Sequence, residues 1–149
     1  MTVALLGAWV MLTGAAWTDW TRRQIPNGWW LLGLGIALGE MLGGGLPWTH
    51  GLWAGGVWLV GEWRAWRHPA HQPGSLSWGD LKLITTLTML LGPFGIWIAA
   101  WGSIGVYVGA FVSWWRHGRQ GRWTGRPMPW APGAWVALSV FGGFLWIMR

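Results

Sequence analysis

The chain has no cysteine. That excludes a thiol nucleophile, a cysteine-ligated zinc site and any internal disulfide. Charge is almost as scarce, at 9% of 149 residues, where a soluble domain carries about 25%. Acid is scarcest of all, with four Asp and Glu against ten Lys and Arg. So few charges do not clothe a water-facing surface of this size. Linkers and internal repeats are also missing, which argues for one domain over 1–149. What fills the chain instead is 53% hydrophobic residues, with 19 Trp and 26 Gly, types favoured in or beside bilayers. A disordered chain, a disulfide-stapled secreted domain and an ordinary cytosolic enzyme are excluded. The composition points to an all-α, polytopic membrane protein.

The net charge of +6 does not indicate nucleic acid. Its basic residues lie in short gaps between apolar runs, with no soluble basic face to lie along a duplex. Six apolar segments can be drawn, about 1–18, 28–46, 50–63, 81–92, 93–115 and 131–148. A full crossing needs roughly 20 mostly apolar residues, so the third and fourth segments are short. Gly92-Pro93 separates the fourth and fifth, because proline does not continue a helical ladder. The first segment lacks the positive leader of a signal peptide, since no Lys or Arg precedes Arg22, and is expected to stay in the chain. The odd loops, with Lys82 just beyond the second of them, hold nine of the ten basic residues, and the tenth is Arg149. The positive-inside rule then expects about six transmembrane helices, some short or broken, in an inner (cytoplasmic) membrane. It puts the odd loops in the cytoplasm and both termini outside.

The four carboxylates are Asp19, Glu40, Glu62 and Asp80. An acid near a span is costly and is a functional candidate. Asp19 closes the first apolar run and Asp80 opens the fourth, so the topology places both at the cytoplasmic boundary. Two close carboxylates share a proton. The ionised one can activate water, and the protonated one can polarise a carbonyl and then protonate a leaving amine. The serines Ser75, Ser77, Ser103, Ser113 and Ser139 show no base partner. Local sequence supports both acids. Pro26 suits a helix start, Asn27 suits a cap or turn, and Gly79 lets backbone come close to Asp80. Asp80 is itself a candidate N-cap of the fourth span, and Lys82 is expected to meet headgroups or offset carboxylate charge.

Three motifs carry a resemblance. Asp19 is followed by Ile25-Pro26-Asn27. Gly79-Asp80-Leu81-Lys82 is similar to the core of a Gly-x-Gly-Asp-x-Lys motif. Pro129-Trp130-Ala131-Pro132 precedes the last span, as a Pro-Phe-x-Pro segment does. In this order the chain resembles the type IV prepilin peptidases and their preflagellin relatives over nearly its whole length. The resemblance implies a membrane aspartyl endopeptidase. It would cut the short basic leader from prepilin-like subunits, in type IV pilus or related protein secretion systems, typically after a glycine at the cytoplasmic face. Asp19 and Asp80 would be its catalytic pair, with no cofactor. Ser77 stands where the motif has its first glycine, which reduces backbone freedom there. The chain resembles the short form without the N-terminal methyltransferase region. A non-enzymatic transporter or assembly subunit with the same fold is the alternative.

The remaining residues read more simply. Glu62, near Arg64 and Arg67, suits a solvated interface, whereas Glu40 falls within an apolar run at the outer boundary or pairs within the bundle. His68 and His71 lack a third ligand, so no metal is expected. The arginines at 116–126 suit topology and membrane lipids. The expected partners are therefore a prepilin-like protein and lipids, with no nucleic acid; oligomeric state is not encoded in any motif. Trp residues cluster near span ends, and glycine pairs suit close helix contact.

Overall fold

The structure is a computed structural model and describes residues 2–22, 24–67, 77–117 and 130–147. Arg23, His68, His71, Ser75, Arg119, Arg122, Arg126, Pro129 and Arg149 lie outside the described residues. Among the described residues six helices follow one another: α1 (Thr2–Arg22), α2 (Asn27–Leu42), α3 (Thr49–Arg67), α4 (Trp78–Leu91), α5 (Pro93–His117) and α6 (Ala131–Ile147). Among the described residues there is no strand, so the fold is all-α. All six expected segments are helical. The break between α4 and α5 falls at Gly92, whose φ of 62° suits a residue without Cβ.

The helices run alternately up and down. Gly7 near the start of α1 faces Ile36 near the end of α2, and Gly95 at the start of α5 faces the Leu87 backbone near the end of α4. Helix α4 packs against α1, α2, α3 and α5, while α1 also packs on α2 and α6. The shortest helix is thus the one its neighbours surround. Its 14 residues rise only about 21 Å. The core is built on Met11, Leu12, Leu83, Leu87, Leu90, Ile98 and Leu138, all essentially inaccessible.

Two buried stripes position the site. On α1, Ala4, Ala8, Met11 and Ala15 are fully buried, at the three- and four-residue spacing of one helix face. Asp19 comes four residues after Ala15, on the same face. On α4, Leu83, Leu87 and Leu90 are buried, and Asp80 lies three residues before Leu83. Each acid therefore ends an inward-facing stripe.

The outer surface is apolar. Leu42, Leu52 and Leu59 are 70–78% exposed, and Val3, Leu6, Val10, Trp17 and Trp66 also face outward. Even so, among the described residues no helix is long and apolar enough to cross a membrane. Helices α2, α4 and α6, with 16, 14 and 17 residues, fall short of a crossing length of about 20. Helices α1 and α3 are longer, but threonine and charged residues interrupt them.

Candidate active site

The C-terminal end of α1 and the N-terminal ends of α2, α4 and α6 meet at one end of the bundle. Asp19 is 8% exposed there. Its Oδ2 accepts from the backbone N–H of Ala131 at 3.2 Å. That N–H belongs to the first turn of α6, where backbone donors have no helical partner and favour an anion. Trp130, just before it, is buried and donates from Nε1 to the Ser103 hydroxyl at 3.1 Å. Ser103 therefore steadies the entry to α6. Pro132 lies in the first turn of α6, where a missing N–H costs nothing.

Asp80 is held by a different device. Ser77, not Asp80, is the N-cap of α4, and Asp80 is the third helical residue. The Ser77 hydroxyl accepts from the Asp80 N–H at 3.2 Å and donates to Asp80 Oδ2 at 2.9 Å, while the Ser77 N–H donates to the same oxygen at 3.2 Å. This is a reciprocal capping box. The Ser77 backbone, at φ −71° and ψ 156°, is extended, a conformation open to any residue. The serine therefore loses no freedom that a glycine would need here.

Asp80 precedes the apolar run 81–92, and its carboxyl is held above the ordinary carboxylate range. Burial is the largest cause, because it disfavours the charged form. The Ser77 hydroxyl and then the Ser77 backbone oppose it, and the negative charge of Asp19 adds a smaller upward push. Asp19 and Asp80 thus stand on different helices at the same end of the bundle.

The Ile25-Pro26-Asn27 segment docks on the Asp80 segment. Ile25 lies against Gly79, and a Cβ built on Gly79 would meet the Ile25 Cβ at 3.4 Å, an ordinary contact. Asn27 does not cap α2. Pro26 occupies the cap position and no side chain bonds the helix start. Instead Asn27 Oδ1 accepts from Lys82 Nζ at 3.1 Å and from Trp30 Nε1 at 3.1 Å. Lys82 Nζ also lies 5.3 Å from the centre of the Trp30 ring. Lys82 is thus engaged by Asn27 and an aromatic face. Trp30 was missing from the sequence-based candidates; its signal is its position one helical turn after Asn27.

The other acids lie apart. Glu40 folds its side chain over Gly45 at the opposite end of the bundle, where its carbonyl accepts from Gly45 and Leu46. Glu62 is half-buried near the end of α3. Among the described residues no group of three His, Asp or Glu is arranged to hold a metal. The site is therefore two carboxylates at one bundle end, each tied to a separate motif.

No curated protein and no solved structure matches the chain significantly. A family model described as the type IV leader peptidase family matches residues 5–147. That match spans both carboxylates and every segment docked around them, and the chain belongs to the type IV leader peptidase family.

Proposed function

We propose that the chain is a single membrane-embedded peptidase domain over 1–149, in which Asp19 and Asp80 are the catalytic pair. It removes the short basic leader of prepilin-like or preflagellin-like subunits at the cytoplasmic face of the inner membrane. The observation that supports this reading is that Asp19 and Asp80 each end an inward-facing stripe at the same end of the bundle. Membership in a leader peptidase family supports the substrate class. The outward apolar side chains support embedding in lipid, and the short α4 is wrapped by protein, so its backbone needs no lipid-spanning length. The basic residues of the odd loops support a cytoplasmic site.

The chemistry follows from the asymmetry of the pair. The reading assigns the proton to Asp80, whose carboxyl is held above the ordinary range, and the ionised role to Asp19. Asp19 takes a proton from water as the water oxygen attacks the scissile carbonyl carbon. Asp80 donates its proton to the carbonyl oxygen. The tetrahedral intermediate then collapses: the C–N bond breaks as the proton held by Asp19 passes to the leaving amine, and a hydroxyl proton of the intermediate returns to Asp80, which restores the pair. The test is cleavage of a prepilin-like protein with a basic leader ending in glycine, in membranes or detergent. Wild type cuts at the glycine junction, whereas Asp19→Asn and Asp80→Asn insert normally and each lose about 10²–10⁴-fold. Full activity in either variant overturns the assignment.

A further inference from the structure

We propose that Ser77 is a positioning residue for Asp80: it anchors Oδ2 through two hydrogen bonds and so presents Oδ1 to the substrate. The inference rests on the dyad reading above and assigns an orientation to one of its carboxylates.

The geometry is specific. The Ser77 hydroxyl and N–H both donate to Oδ2, at 2.9 and 3.2 Å. Among the described residues Oδ1 takes no hydrogen bond. A carboxyl bonded this way has its two oxygens made unequal. The acceptor side is occupied, so the proton of the neutral form belongs on Oδ1, where it can be given to a carbonyl oxygen. A glycine in place of Ser77 offers the backbone N–H but not the hydroxyl, so the shorter of the two bonds is particular to a serine or threonine at this position.

The hydroxyl bond also bears on titration, since a donor to a carboxylate favours its charged form. Other charges near this end of the helices packed on α4 are Asp19 and Arg22 on α1 and Glu62, Arg64 and Arg67 on α3; α2 contributes the neutral Asn27, and the described side chains of α5 carry no charge. On α4 itself Lys82 is engaged by Asn27. Among the described residues Asp19 is the charge that bears on the Asp80 carboxyl, and more weakly than Ser77 does. Losing the hydroxyl therefore moves Asp80 upward while the other groups stay in place.

The test separates this role from helix capping. Glycine is a tolerated N-cap, close to serine in helix stability, so Ser77→Gly keeps the start of α4 and removes the hydroxyl. The Asp80 carboxyl is titrated directly by carbon-13 NMR in aspartate-labelled protein, with its signal assigned by Asp80→Asn. The midpoint rises by about half to one pH unit in Ser77→Gly and returns to the wild-type position in Ser77→Thr. An unchanged midpoint in Ser77→Gly, or an equal rise in Ser77→Thr, overturns the proposal. This readout needs no substrate. Failure of the dyad reading shows separately, as cleavage that survives Asp80→Asn. In the cleavage assay Ser77→Gly lowers kcat with KM kept and moves the alkaline limb upward; a change in KM alone contradicts the positioning role.

Discussion

Asp19 and Asp80 face inward because each extends an apolar stripe by one more helical step. That placement sets the burial of Asp80 and hence a stability cost. A carboxyl held above its ordinary range folds most favourably when neutral. Its contribution is fully present below the unfolded carboxylate value and is lost as pH rises through the folded one. Asp80→Asn should therefore melt higher than wild type at neutral pH, with the gap closing in acid, as read by thermal unfolding in detergent. Lys82→Met removes the bond to Asn27 and the contact with Trp30. It should cost about 1–2 kcal/mol and lower cleavage by loosening the α1–α2 link from α4, as measured by melting and turnover together. The stripes were legible in the sequence, since Ala4, Ala8, Met11 and Ala15 keep a strict helical spacing up to Asp19. So was the Ser-x-x-Asp pattern of Ser77 and Asp80, although comparison with a glycine motif drew it toward a loss of freedom. The Asn27–Lys82 bond was not legible, because 55 residues separate its partners and only packing joins them.

Between elements, small residues set the distances. A Cβ on Gly102 of α5 would sit 2.8 Å from the Ala134 nitrogen of α6, and one on Gly133 would sit 2.6 Å from the Gly102 carbonyl. One on Gly95 would meet the Leu87 carbonyl at 2.5 Å. These neighbours are backbone and cannot swing aside. Gly95→Val and Gly102→Val should each lose about 1–3 kcal/mol through overpacking. Gly79→Ala, which meets Ile25 at an ordinary distance, should melt close to wild type. Thermal unfolding of the three variants side by side checks the contrast. The six segments themselves were legible from hydropathy and from Gly92-Pro93. Which of them lies at the centre was not, because the shortest run, α4, gives no sign in its own sequence of being surrounded.

The whole molecule turns an apolar face outward and keeps Asp19 and Asp80 at one end. It is expected to sediment with membranes and to resist an alkaline wash, and its exposed tryptophans, such as Trp17 and Trp66, should be quenched by brominated lipids. A chain that stays monodisperse in water without detergent contradicts that picture. The central claim is that the two carboxylates work as one unit, and rates for four proteins test it most directly: wild type, Asp19→Asn, Asp80→Asn and the double variant, on one prepilin-like substrate. Groups that act together lose nearly everything when either is removed, so the double variant should be no slower than the worse single. Losses that multiply in the double variant, or a single variant that cleaves as wild type does, would contradict the account.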